Sequence, residues 1–371
     1  MKQIKVLLLA DSSSIHTRRW ANALNESGLN VFIFSLCDPT GKYNDGIKIY
    51  SQGFNPNWTN RDTKVYNKII YLKTLFALKK IIKKVKPNIV HAHFATSYGL
   101  LGALSGFQPY IISVWGSDVY DFPKRSFINK LILKFNLSKA NIILSTSHVM
   151  AKETSQYTKK PIIVTPFGVD IEKFKLTSEN KINSKLIFGT IKTLDPKYGI
   201  DILIQAFALV YKRLKDENVE SELHIIGGGP SEFELKKLVE SLNLKDYVRF
   251  VGKVTHDCVP KYLNSFDVFV ALSIDNSESF GVAVVEASSC SLPVVVTSVG
   301  GLPEIVSDNF TGYIVPPNDP VTAADKMFDL SMNFEKRKYF GKNGRLLVEE
   351  KFNWNDNVNR MLEIYNFILK M

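Results

Sequence analysis

Short apolar runs, rich in β-branched residues, alternate along the chain with longer segments in which apolar residues return every three or four positions. In the first half the short runs are 4–10, 30–36, 47–52, 88–94, 109–115, 140–146 and 161–165. Helical spacing marks the segments between them, notably 16–27, 64–86, 97–105, 125–138 and 147–156. Strands that are apolar throughout are covered on both faces, and strands alternating with helices predict βαβ units and a parallel sheet. The alternation pauses at Pro166-Phe167-Gly168-Val169-Asp170 and a polar stretch from Lys173 to Lys185, which reads as the domain boundary. It resumes with 186–190, 222–227, 248–252, 268–272, 293–297 and 312–315, and three helical segments close the chain, the last from about Trp354 to Lys370. The pattern predicts an α/β protein of two Rossmann-like, doubly wound domains, 1–170 and 171–353. Ligands of such domains bind at the carboxyl ends of the strands, here in a cleft that both sheets face.

Composition narrows this picture in two places. Cys37, Cys258 and Cys290 lie far apart with no Cys-x-x-Cys pair, which argues against a disulfide framework or a zinc ribbon and fits a reducing compartment. The opening apolar run is too short for a signal-peptide core, and no stretch reaches the ~20 apolar residues of a membrane-spanning helix. The expectation is a cytoplasmic protein. Charge is more informative: the net is +11, but residues 1–170 carry 23 Lys and Arg against 9 Asp and Glu, and the remainder is slightly acidic. All the excess positive charge sits in the first half, as an anionic partner would favour.

Candidate chemistry collects where strands end. Gly227-Gly228-Gly229-Pro230 follows one strand and precedes a helix, allowing backbone amides to approach an anion, although simple turn chemistry explains it equally well. The run Ser277 to Pro293 places Glu278 just before Gly281, with Glu286 eight positions after Glu278. A helix starting near Gly281 would aim its free N–H groups at a diphosphate beside Glu278, and Glu286 would reach a ribose diol. The plainer alternative is a helix-start carboxylate and a solvated glutamate. Lys192 and Lys197 share a strand-to-helix loop ahead of Gly199 and would clamp a pyrophosphate as point charges, if they are not simply solvated. In the first half, His16, Arg18, Arg19 and Trp20 follow the first crossing, His91 and His93 share one face of a strand end, and Trp115-Gly116-Ser117-Asp118 ends another strand. No third metal ligand accompanies the histidines, and Asp118 can also be read as a helix cap. Neither a Gly-x-Ser-x-Gly elbow nor an Asp-x-Asp pair occurs.

Together these residues resemble the retaining glycosyltransferases of glycosyltransferase family 4, which have the GT-B fold. The resemblance covers nearly the whole chain and is strongest from Lys185 to Asp319. It rests on Glu278 to Glu286 with Ser279-Phe280-Gly281 between, and on the lysine pair with Gly199-Ile200-Asp201. Val299-Gly300-Gly301-Leu302-Pro303-Glu304, the segment Gly312 to Pro317, and Pro166 to Asp170 add to it. It implies two Rossmann-like domains facing a central cleft, with the C-terminal helix (about 354–371) returning to the acceptor-binding first domain. Glu278 would then hold the donor sugar and Glu286 the ribose. Lys192, Lys197 and the amides of Phe280, Gly281 and Val282 would take the diphosphate, and Gly228 with the backbone near Lys253 and Val254 would take the base. His93, Asp118 and Glu278 would form the catalytic set, with His16, Arg18, Arg19 and Trp115 on the acceptor side. Three positions depart from the family pattern: Lys192 stands for the usual Arg, Trp115 for His, and Ser291 for Gly.

The implied reaction moves a hexosyl or N-acetylhexosaminyl unit from a UDP-linked donor to a hydroxyl of a saccharide or polyprenyl- or lipid-linked acceptor. The setting would be surface polysaccharide or glycolipid synthesis. Two lysines and a helix N-terminus make a metal unnecessary, so no cofactor is expected. Residues 61–86 hold nine Lys and Arg against one Asp, interleaved with apolar residues. They would lay the first domain on the anionic inner face of the membrane, unless they simply cover the sheet. The competing readings are a non-hydrolysing nucleotide-sugar epimerase of the same fold and a basic membrane- or nucleic-acid-binding module. No helix-turn-helix, zinc-finger or RNP signature supports a nucleic-acid partner.

Overall fold

A computed structural model describes residues 3–54, 70–177 and 185–371. The chain divides into two compact units, 1–166 with 356–371, and 167–355. The sequence boundary after Asp170 thus moves four residues back. The cause is local: the Val169 amide donates to the Phe352 carbonyl and the Trp354 amide to the Val169 carbonyl, at 2.8 and 2.9 Å, which ties the segment after Pro166 to the second unit.

The first unit is built on seven parallel strands: β1 (Lys5–Leu9), β2 (Asn30–Cys37), β3 (Lys48–Phe54), β4 (Ile89–His93), β5 (Tyr110–Val114), β6 (Ile142–Ser145) and β7 (Ile162–Val164). Their order across the sheet is β3-β2-β1-β4-β5-β6-β7. The second unit has β8 (Leu186–Ile191), β9 (Ser221–Ile226), β10 (Val248–Gly252), β11 (Val268–Ala271), β12 (Val294–Thr297) and β13 (Gly312–Val315), ordered β10-β9-β8-β11-β12-β13. In each sheet the order reverses between the first strand and the fourth, β1 with β4 and β8 with β11, and ligands of doubly wound sheets bind beyond the carboxyl ends at such a point. The central strands are apolar throughout because helices cover both faces; Val6 to Leu9 and Val294 to Val296 are completely buried.

Local signals place the helices. Ser126, Ser147, Asp319 and Asn333 each cap one by accepting from the amide three residues on. Helix Ile200–Asp216 buries Leu203, Ile204, Phe207, Val210 and Leu214, a stripe at helical spacing, on the second sheet. The final helix, Trp354–Ile368, packs most of its length with the first unit and buries Met361, Ile364, Tyr365 and Ile368 there. Helix Ile70–Val85 packs Leu75, Leu78, Ile81 and Ile82 into the core beside the first sheet and leaves Lys73, Phe76, Lys79, Lys80, Lys83 and Lys84 exposed. Those four apolar residues therefore serve as sheet cover; the rest of the expected basic segment, 61–69, lies outside the described residues.

Candidate functional site

Both units gather polar side chains at the carboxyl ends of their first and fourth strands, with different chemistry. In the second unit the loop after β8 carries Lys192 and Lys197, and the loop after β11 carries Ser273 and Glu278. Glycines let these loops close on one another. A Cβ at Gly227 would fall 1.8 Å from the Lys192 carbonyl oxygen, one at Gly199 1.9 Å from that of Leu272, and one at Gly300 2.0 Å from that of Glu278. No side chain fits at such distances.

Lys192 Nζ lies 2.5 Å from Glu278 Oε2, and the Ser273 hydroxyl donates to the same oxygen at 3.3 Å. The ammonium groups of Lys192 and Lys197 stand 4.3 and 4.7 Å from the centre of the Tyr198 ring, so this ring gathers both cations. Glu278 is only 9% exposed, and its carboxylate lines a cavity with Thr190, Lys192, Tyr198, Ser273 and Gly281. Gly281 adopts a left-handed φ of +89° and starts helix Val282–Ser289. The first amides of that helix have no partners within it, and its N-terminus faces the glutamate loop. Phe280 turns its ring into the core, against Phe167 and Phe352. Only its backbone is placed to serve the site.

Glu286, 5% exposed, is hydrogen-bonded to His256 Nε2 at 2.8 Å. It is neither solvated nor solitary. Gly228 sits beneath the aliphatic stem of Lys253, and the Gly227 amide donates to the Gly252 carbonyl, so the ends of β9 and β10, leading to Val254, adjoin this pair. Three participants escaped the sequence reading. His256 gave no periodic or motif signal, because thirty residues separate it from Glu286. Tyr198 and Ser273 sit beside singled-out residues but belong to types that turns use freely.

The first unit assembles aromatic rings instead. His93, at the end of β4, lies 4.7 Å from His91 and 4.8 Å from Trp115, and Trp115 lies 6.0 Å from His16. His91 is held between the Tyr365 hydroxyl (2.7 Å) and the Ser113 hydroxyl (2.8 Å). His93 Nδ1 is buried without a hydrogen-bond partner. Burial, with the neighbouring His16 charge adding to it, pushes the His93 pKa down to about 3, and burial pushes His91 down as well. Both are neutral imidazoles at physiological pH. Among the described residues no group of three or more His, Cys, Asp or Glu is arranged to hold a metal ion.

Two first-unit candidates are tied to the backbone. Asp118 is completely buried, and its carboxylate accepts from the amides of Ala95 (2.8 Å), Gly116 (2.8 Å) and Trp115 (3.1 Å). Burial raises its pKa against the pull of those donors. It fastens the loops after β4 and β5 together and so positions His93 and Trp115. Arg18 donates to the Thr40 carbonyl at 2.7 Å and lies over Gly41, bracing the chain beyond β2 rather than joining the rings. Arg19 lies half-buried one turn beyond His16.

Two doubly wound parallel sheets of this order are the architecture of the GT-B fold. Residues 172–347 match the family described as Glycosyl transferases group 1, and residues 5–147 match Glycosyl transferase 4-like. An uncharacterized glycosyltransferase of Methanocaldococcus jannaschii is 30% identical over 81% of this chain and 82% of its own. The N-acetyl-alpha-D-glucosaminyl L-malate synthase of Bacillus anthracis is 27% identical over 79% of this chain and 78% of its own. Among solved structures, a sucrose-phosphate synthase from Thermosynechococcus elongatus superposes with a TM-score of 0.86, at 20% identity over 99% of this chain and 100% of that one. Anabaena HepE in complex with UDP gives 0.77, at 16% identity over 98% and 99%. The chain belongs to the group 1 family of glycosyl transferases, and it is an enzyme of the transferase class.

Proposed function

We propose that this enzyme is a retaining, metal-independent transferase that takes an N-acetylglucosaminyl or related hexosyl unit from a UDP-linked donor. The observation that carries the reading is the Lys192–Glu278 pair at the mouth of the helix that holds Glu286. Departure of a nucleoside diphosphate builds negative charge on phosphate and positive charge on the sugar. Lys192, Lys197 and the first amides of helix Val282–Ser289 stabilise the former. Glu278 accepts from sugar hydroxyls once Lys192 turns to the diphosphate, and Glu286 accepts from the ribose, held in place by His256. Relatives named for N-acetylglucosaminyl transfer support this sugar. In the first unit, His93, Trp115 and His16 line the side that receives the acceptor hydroxyl, and the neutral His93 ring presents it with no competing charge. Excess positive charge in that unit favours a lipid-linked acceptor at the inner face of the membrane, where the enzyme associates peripherally.

Thermal unfolding with UDP, GDP, ADP and their sugar conjugates, each with EDTA and with magnesium, tests the donor side. Ligand at 100 times its dissociation constant adds about 2.7 kcal/mol. UDP compounds should raise the Tm equally in EDTA and in magnesium. A shift seen only with magnesium, or only with another nucleotide, would overturn the corresponding part. Donor consumption without any acceptor would favour the epimerase instead.

A further inference from the structure

Helix Phe127–Lys139 presents an apolar outer face to solvent. Phe127 is 74% and Ile128 64% exposed, and Leu131 and Phe135 continue the same apolar stripe at helical spacing. Lys130 and Lys134 are exposed between them. The inner face is fully engaged: Leu133 and Leu137 are buried in the core, Asn129 donates to the Phe122 carbonyl, and Asn136 donates to the Ala95 carbonyl. The helix is therefore fixed by its inner side and leaves four large apolar side chains in water. From Phe122 to Lys152 the chain carries five Lys and one Arg and no acidic residue.

We propose that this helix is a docking element that seats on an anionic phospholipid surface, with Phe127, Ile128, Leu131 and Phe135 entering the headgroup boundary. Charge complementarity selects the occupant. An apolar stripe laced and flanked by cations is the composition of a helix lying in the plane of an anionic leaflet, the lysine stems reaching outward to the headgroups. Nucleic-acid phosphates would use the cations and leave the stripe exposed. The neighbouring Ser97–Ser105 helix touches both this helix and helix Ile70–Val85, so the basic outer face of the latter belongs to the same layer. That second helix contributes charge, since its Leu75, Leu78, Ile81 and Ile82 turn inward. The inference narrows the membrane part of the proposed function and assigns the apolar insertion to a segment the charge pattern alone did not single out.

Co-sedimentation with phosphatidylglycerol-containing vesicles and with pure phosphatidylcholine vesicles, at low and high salt, tests it. Wild type should bind the anionic vesicles and keep part of that binding at high salt. The combined variant Phe127→Ser, Ile128→Ser, Leu131→Ser and Phe135→Ser should lose about tenfold or more in partitioning. Its Tm and its stabilisation by nucleotide should be unchanged, and Phe127→Trp should bind at least as well as wild type. If the serine variant binds as wild type does while Lys79→Glu, Lys80→Glu, Lys83→Glu and Lys84→Glu together abolish binding, membrane association stands and this helix is not its docking element. If wild type binds no anionic vesicle, both fall. A wild-type dimer that the serine substitutions convert to monomer would assign the face to a second copy and overturn the proposal.

Discussion

The two sheets share one strand order through their first six strands, and each puts its functional groups beyond the carboxyl ends of its central strands. What stands there differs. The second unit pairs each of its two buried carboxylates with a nitrogen base, Glu278 with Lys192 and Glu286 with His256. The first unit holds aromatic rings and two buried, neutral histidines, and the one carboxylate buried among its described residues, Asp118, is consumed by backbone amides. Topology thus fixes where chemistry can be placed and leaves its nature to a few side chains. The paired charges suit a ligand that arrives charged and leaves more so. The neutral rings suit a hydroxyl-bearing ligand that must give up a proton without meeting a competing charge.

The largest effect should come from breaking the ionic half of the contrast. Lys192→Met removes the cation that faces the leaving diphosphate and strands Glu278 as a buried carboxylate. We expect kcat/KM to fall about 10²–10³-fold, the usual loss for one preorganised electrostatic group, with a lower Tm as well. Lys192→Arg should recover most of the activity, since the charge is kept. Steady-state kinetics of the three proteins decides it: a Met variant within about twofold of wild type would end the claim that charge governs the second unit.

Next in size is the positioning carboxylate. Asp118→Ala leaves the amides of Ala95, Trp115 and Gly116 buried without their acceptor, and should cost about 3 kcal/mol of stability. Denaturant titration would show this as a lower midpoint at unchanged slope. Catalysis should suffer through misplaced His93 and Trp115. A stability unchanged by the substitution would return Asp118 to the catalytic set and weaken the distinction between the two units.

These examples also show what a sequence makes legible. The strands could be read because parallel strands covered on both faces are apolar throughout, and their ends fell within a few residues of the structure at every crossing, as at β8 and β11. Glu278 and the two lysines could be singled out because each lies within a few residues of a strand end. Their engagement was not legible. Whether Glu286 faces water or His256 depends on a rotation about one helix and on a loop thirty residues away. Asp118 shows the same limit: its spacing suits a cap and an acceptor group alike, and only three-dimensional placement of Ala95 and Trp115 decides. The exposed stripe on helix Phe127–Lys139 was hidden for another reason. Apolar residues at helical spacing read as core from either face, and the chain does not say which face is turned outward.

The smallest effect per unit of change sharpens the neutral half of the comparison. His93 has a folded pKa of about 3, against an ordinary value near 6.5 when the chain is unfolded. Below about pH 6.5 the unfolded chain binds a proton that the folded chain does not, so stability must fall as pH falls, and keep falling until the folded pKa is reached. Each pH unit in that window costs about 1.4 kcal/mol for each histidine so buried, and His91, lowered by the same cause, adds a second contribution. His93→Asn should lower stability at neutral pH, where packing on Trp115 is lost, yet flatten the slope between about pH 6 and 4. Unfolding free energies of both proteins across that range give the slopes directly. Equal slopes would mean that His93 takes up its proton in the folded state, and the first unit would then carry charge at its strand ends just as the second does.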